Sequence, residues 1–376
     1  MIGVFAFPAL LPSFLVEWSL TNTQAGWISG VYFAAYAVTV PVLVGITDRV
    51  DAKRVFMLGA LVAGLSAGGF ALFAEGFWTA MLFRGLGGVG LAGSYMPGLK
   101  ALVDRIPSHR QARAIPLYTA SFSLGTALSF LAVGKLAEGF GWRAAFMVAA
   151  GGGLLGCLIA GFLKPVAPHP PATPTRLLDF RPVLRNRRAM GYVLGYAVHC
   201  WELFGLRSWQ VAFLTFIQAG AAVSTGLSPT AVGTWSGLVA VAASLGGAGL
   251  ATRFGRPRVI ALFMAGSAAA AFLTPHAGNL PYEAAALAVI AWGALIQLDS
   301  AALTTGAVQA AEPGRQGATM AMHSLLGFSA AFLGPLAIGV VLDQAGGGAS
   351  LAAWALAFGS VGAVALLGPL AIRLAR

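Results

Sequence analysis

Apolar residues run through this chain in windows of about 20, each long enough to cross a hydrocarbon core of ~30 Å as a helix. Short breaks of Gly, Pro or charge separate them. The pattern predicts twelve spans, at 1–16, 25–47, 55–74, 77–103, 115–136, 142–163, 189–218, 230–251, 259–276, 282–310, 317–342 and 350–372. The first, "MIGVFAFPALLPSFLV", has neither a basic leading region nor a small-residue cleavage site, so a transmembrane helix is expected rather than a cleaved leader. At ~1.5 Å per residue its 16 residues give roughly 24 Å, short for a crossing, which raises the question whether the native first helix begins before Met1. The longest polar interval, "KPVAPHPPATPTRLLDFRPVLRNRR" at 164–188, holds prolines and arginines that prevent a continued helix. It reads as a linker, with one six-helix half at 1–163 and another at 189–376.

Composition agrees. The chain is 58% hydrophobic and 9% charged, whereas a soluble domain is about a quarter charged. An all-α integral membrane protein is the expected class. Cys157 and Cys200 lie inside apolar segments and offer neither a disulfide framework nor metal-ligand spacing.

The net charge of +11 could suggest nucleic acid, but its placement argues for topology. The loops after spans 2, 4, 6, 8 and 10 and the C-terminus, with Lys100 at the end of span 4, hold 19 of the 23 Lys and Arg residues. The other face holds Lys135 and Arg143, with Glu17, Glu75, Glu138, Glu283 and Asp343. By the positive-inside rule both termini are expected in the cytoplasm, and no nucleic-acid partner is expected. Few Lys, many Arg and abundant Ala and Gly suggest a GC-rich bacterial genome and hence an inner (plasma) membrane.

The halves echo one another. "GITDRVDAKRV" (45–55) and "GLATRFGRPRV" (249–259) share Gly, Arg, Arg and Val at an offset of 204. "GGVGLAGS" (87–94) and "GALIQLDS" (293–300) share their first Gly and last Ser at an offset of 206, which also maps Pro107 onto Pro313. "LGTALSFL" (124–131) and "LGFSAAFL" (326–333) share Leu, Gly, Phe and Leu in register, with an Ala one place apart. An internal duplication follows, a design used by transporters with a midplane site.

The loop "TDRVDAKRV" resembles the signature loop of the major facilitator superfamily, with Asp48, Arg49, Lys53 and Arg54 at its charged positions. Gly45 comes one place early, and Asp51 replaces the second glycine. The resemblance covers essentially the whole chain. It implies twelve transmembrane helices in two pseudo-symmetric bundles, with spans 1, 4, 7 and 10 lining a cavity and 3, 6, 9 and 12 facing lipid. It also implies a conformational latch at Asp48, Arg49, Lys53 and Arg54; a carboxylate such as Asp48 is stabilised beside a helix N-terminus, here that of span 11. Arg84 in "MLFRGLGGVGLAGSY" resembles the family's fourth-helix arginine motif. "GWRAAF" (141–146) is similar to sequences around the nitrate/nitrite and cyanate porters. Span 5 lacks the Gly-Pro motif of drug/proton antiporters, while Gly334-Pro335 sits in span 11.

Ionisable groups are costly in hydrocarbon and usually face a bundle interior or water. Within the spans they are Arg84, His199, Glu202, Arg207, Asp299 and His323. At about 100° per residue, Tyr196, His199, Glu202, Arg207 and Trp209 fall on one arc of roughly 140°, as a cavity-facing stripe would. Arg84 and Arg207 are candidates to attract an anion and bind it bidentately. Tyr32, Tyr196, Trp209 and Trp235 are candidates for the wall of a substrate site. Glu202, His199, Asp299 and His323 are candidates for proton coupling, since burial and nearby cations move a carboxylate's titration in opposite directions. Fixed structural pairing is the competing reading for each. No nucleophile–base–orienter set appears, so an enzyme is not expected, and no cofactor or metal is expected. The expected function is a monomeric secondary transporter moving a small anionic substrate with protons by alternating access. A proton-driven multidrug exporter and a non-transporting membrane sensor are the alternatives.

Overall fold

The computed structural model describes residues 2–168, 180–220 and 226–375. Its helices are α1 (Ala6–Ala9), α2 (Leu11–Glu17), α3 (Asn22–Ile46), α4 (Ala52–Phe73), α5 (Phe77–Val103), α6 (Ser108–Gly161), α7 (Arg181–Arg185), α8 (Arg187–Ala219), α9 (Pro229–Phe254), α10 (Arg256–Leu273), α11 (Tyr282–Gln297), α12 (Ser300–Ala310), α13 (Gln316–Gln344), α14 (Leu351–Ala365) and α15 (Leu367–Arg373). A 3-10 turn at Thr274–Asn279 joins α10 to α11, and there is no strand among the described residues. The twelve spans are all present: α1 with α2 form the first, α6 holds the fifth and sixth, and α11 with α12 and α14 with α15 form the tenth and twelfth.

Local chemistry explains most boundaries. Thr21 caps α3 through a capping box with Gln24, Ser228 caps α9, and Ser350 caps α14. The predicted loop at 137–141 is helical except at Gly141, whose φ of 79° breaks α6 into two crossings. A side chain there would meet nothing nearby, so the positive φ alone asks for glycine. The first span is not continuous, because α2 starts afresh after a non-helical Leu10, with Pro12 in its first turn. Span 10 also breaks, and Asp299 sits at the junction of α11 and α12.

Among the described residues, eight helical segments are long and apolar enough to cross a membrane by length and composition. The two long helices outside that set, α5 and α8, carry Arg84 and the His199, Glu202 and Arg207 group. Within the first half α3, α4, α5 and α6 pack on one another; in the second, α8 packs with α9, α11, α12 and α13. The halves meet along α3 against α13 and α6 against α9. The α3–α13 approach is close because Gly26 lies against Pro335 and Leu336, where a Cβ would come within 2.8 Å of backbone, and Gly30 lies against Phe332.

The two ends of the bundle differ in charge and are named here by it. The acidic face carries Glu17, Glu75, Glu138 and Asp343, and the basic face carries Asp51, Lys53, Arg105 and the start of the linker. Of the predicted linker, 169–179 lies outside the described residues, 164–168 is non-helical and α7 occupies its end.

Candidate functional site

The first of the two arginines, Arg84, sits on α5 and is 3% exposed. Its Nη1 donates to the carbonyls of Gly3 and Val4, both at 3.1 Å, and its Cζ lies 4.3 Å from the centre of the Tyr32 ring. Nη2 is buried without a partner. The guanidinium borders a cavity of about 290 Å³ shared with Tyr32, Ser66, Leu91, Tyr118 and Phe146, all in the first half. Arg207 on α8 is 6% exposed and lies 5.6 Å from the Phe5 ring. Among the described residues no hydrogen bond or ion pair reaches it. Residues 3–5 therefore lie against both arginines, one from each half, and among the described residues neither has a carboxylate beside it.

The middle of the seam is aromatic. Phe204 of α8 lies 4.3 Å from Phe33, 5.8 Å from Phe328 and 6.3 Å from Phe5 between ring centres. Phe130 stacks on Phe5 at 5.4 Å, and Tyr36 meets Phe328 at 4.2 Å. These six rings come from both halves and are almost wholly buried, apart from the partly buried Phe328.

On the basic-face side of this plug is a cluster of ionisable groups. His199 Nδ1 lies 2.6 Å from Asp299 Oδ1, both side chains nearly inaccessible. Tyr196 stacks on His323 at 3.8 Å and on His199 at 5.7 Å. His323 Nε2 is 3.4 Å from Thr304 Oγ1, while its Nδ1 has no partner.

Glu202 does not join this cluster. Its two oxygens accept from Trp292 Nε1 at 2.6 Å and Ser267 Oγ at 2.9 Å, neutral donors on α11 and α10. Trp209 turns to α13, donating to the Pro335 carbonyl at 2.9 Å, and packs on Trp354. The single stripe expected on α8 thus divides among several neighbours. The rings and charges share an arc of their own helix, but the neighbours around that arc divide them: α13 takes Tyr196 and Trp209, α10 and α11 share Glu202, and His199 meets the α11–α12 junction. Of the predicted wall residues, Tyr32 is buried at Arg84, whereas Trp235 is 54% exposed on α9.

At the basic face, the side chain of Asp48 meets no partner among the described residues. Asp51, at the place of the signature's second glycine, pairs instead with Arg105 Nη2 at 2.8 Å and accepts from the Val166 amide. Lys53 Nζ donates to the carbonyls of Gly161 and Leu163. The loop clamps the start of the linker to its own half. Burial alone would raise the Asp51 carboxyl, but the bonds from Arg105, Val166 and Lys53 outweigh it and hold the group below the usual carboxylate range. A lowered value means that the stabilisation is complete above the ordinary range and is lost as pH falls through the lowered one. Arg105→Ala is expected to lower the melting temperature at about pH 7 and to matter far less below about pH 3; an equal loss at both would show that Asp51 is not the partner that counts.

Sequence reading missed Asp51, Arg105, Ser267, Trp292 and the aromatic plug. Ser267 was visible as a lone hydroxyl in an alanine-rich span. The plug carried no signal, since phenylalanine in an apolar chain marks nothing.

Twelve crossings, a seam between two helical halves and charged groups buried on either side of it are the architecture of a multi-pass membrane transporter. The Major Facilitator Superfamily profile matches residues 1–225, and the chain belongs to that superfamily. It is 29% identical over 164 residues to the niacin transporter NiaP of Acinetobacter baylyi, covering 44% of this chain and 36% of that protein. It is 25% identical over 222 residues to human Protein spinster homolog 1, covering 56% of this chain and 42% of that one. The chain therefore matches less than half the length of these curated relatives. In structure it is similar to a bacterial homolog of the human lysosomal transporter Spinster in an inward-facing, occupied conformation, with TM-score 0.82, 18% identity and coverage of 100% and 93%. Against the nucleoside transporter NupG the TM-score is 0.78 at 16% identity, covering 99% of this chain and 96% of that one. Those two likenesses concern the fold. The relatives named here are of niacin and spinster type rather than the nitrate/nitrite or cyanate porters that "GWRAAF" suggests.

Proposed function

We propose that the chain is a secondary transporter that moves a small anion by alternating access and couples it to protons. The observation that carries the anion is the pair Arg84 and Arg207, one buried in each half against residues 3–5, with no carboxylate among the described residues to balance either one. An isolated buried cation is costly, so these positions favour a ligand that brings the missing negative charge. The niacin transporter among the relatives suits this reading, niacin being a small aromatic carboxylate. "GWRAAF" keeps inorganic anions in the test set.

The proton is assigned to Asp299 and His199, with His323 and Tyr196 beside them. Asp299 stands at a break in span 10, the kind of discontinuity where transporters place coupling-ion sites. Glu202 is a second proton-accepting carboxylate in this reading, held by neutral donors with no cation to keep it charged. The halves 1–163 and 189–376 move as units, joined by the 164–188 linker. The basic face lies in the cytoplasm with both termini, in a bacterial inner membrane, and the working unit is a monomer. Asp48, Arg49, Lys53 and Arg54 latch the basic face when the acidic face is open.

The test is a thermal-shift screen of purified protein with nicotinate, other small carboxylates, inorganic anions and cationic drugs at two pH values. Stabilisation by anions, stronger at the pH that protonates the Asp299–His199 pair, is expected. Stabilisation by cations alone would overturn the anion assignment and favour a drug exporter.

A further inference from the structure

The first turn of any helix leaves backbone N–H groups that need partners. In α3 the capping box satisfies two of them. Thr21 Oγ1 accepts from Gln24 N at 3.1 Å, and Gln24 Oε1 accepts from Thr21 N at 3.0 Å. That leaves the amides of Asn22 and Thr23. Both are taken by one carboxylate from the opposite half: Asp343 Oδ1 accepts from Asn22 N at 3.0 Å and Asn22 Nδ2 at 2.8 Å, and Oδ2 accepts from Thr23 N at 2.8 Å. Asp343 lies in the last turn of α13, and Gly339, one turn earlier, lets the α3 backbone come close enough, since a Cβ there would meet the Asn22 carbonyl.

We infer that Asp343 is a positioning residue of the transport cycle, a latch that holds the acidic face shut by completing the cap of α3 from the other half. Three charge-assisted bonds and the positive end of the helix act on one side chain, and all of them must break for α3 and α13 to part at this face. The contact sits at the end of the bundle opposite the Asp48 loop and has the chemistry proposed for Asp48 there, a carboxylate on a helix N-terminus. It rests on the alternating-access reading in one respect only, that the acidic face opens during the cycle.

The test reads distance rather than transport. Spin labels at Glu75→Cys and Asn279→Cys, exposed on the acidic face of opposite halves, are introduced with Cys157→Ser and Cys200→Ser. Pulsed dipolar spectroscopy is recorded without substrate or proton gradient, so that failure of the anion or proton assignment does not affect it. Asp343→Ala is expected to raise the ratio of long-distance to short-distance populations about tenfold. Asp343→Glu should restore part of the closed population. Asn22→Asp, which leaves Asp343 in place but sets a second carboxylate against it, should open the face in the same direction and serves if Asp343→Ala does not fold. An unchanged distance distribution in Asp343→Ala, with or without a lower melting temperature, would overturn the inference and leave Asp343 as an ordinary cap.

Discussion

Arg207→Gln is expected to weaken binding of the stabilising anion about a hundredfold, measured by calorimetry or thermal shift in detergent. The side chain is buried, its guanidinium lies 5.6 Å from the Phe5 ring, and among the described residues no acid pairs with it. A substrate carboxylate would therefore be its principal partner. Removing one member of a buried charged pair costs several kcal/mol, because the other is left desolvated and alone. The free protein should respond in the opposite sense. Without ligand, Arg207→Gln removes an uncompensated buried cation and should melt no lower than the parent protein. Arg207→Lys should fall between, since an ammonium keeps the charge but loses bidentate geometry. If Arg207→Gln binds as the parent does, or if it melts far lower in the apo state, the arginine is structural and the anion assignment fails.

The second large effect is expected at Asp299. Asp299→Asn keeps the shape but cannot take up and release a proton. Uphill accumulation driven by a pH gradient in proteoliposomes should be abolished, while exchange of internal for external substrate should persist at a substantial fraction of the parent rate. The two readouts separate coupling from binding. The variant also leaves His199 facing an amide, so a loss of both activities would mark the pair as a structural strut between α8 and the α11–α12 junction. Glu202→Gln provides the internal comparison. Its carboxylate is satisfied by Trp292 and Ser267, and the amide can accept from only one of them at full strength. Loss of driven uptake in Glu202→Gln but not in Asp299→Asn would move the proton from one acid to the other.

How much of this was legible before the structure depends on the kind of information asked for. Span number and face polarity follow from long-range averages over apolar windows and loop charge, and those averages are insensitive to detail. The ionisable inventory followed from composition alone, because each buried charge is rare enough to stand out. Partner choice did not follow. His199 and Glu202, three residues apart, share a side of α8, yet one meets Asp299 and the other Trp292 and Ser267. Helical angle fixes direction relative to one axis and says nothing about which neighbouring helix stands there. Asp343 reads in sequence as a loop acid on one face. Only the approach of α13 to α3, set by Gly339 and Gly26, turns it into a cap. The breaks at Gly141 and Pro12 had local signals, whereas the one at Asp299 had none.

The six rings at the seam have an electrical consequence. Phe204 stands on α8 between His199 and Arg207, which are separated by about 12 Å along the helix axis. Rings packed at 4–6 Å separate the His199 and Arg207 levels, and Glu202, on the His199 side of Phe204, is turned away from them toward Trp292 and Ser267. In a cycle that admits water to each cluster from its own end, the rings would stay dry and the transmembrane potential would concentrate over this short layer instead of spreading through the whole bilayer. A charge passed from one cluster to the other would then sense most of the voltage, worth about 2.3 kcal/mol per elementary charge per 100 mV across the full field. The net charge carried past the rings in each cycle is what would make this protein a current generator or leave it electrically silent.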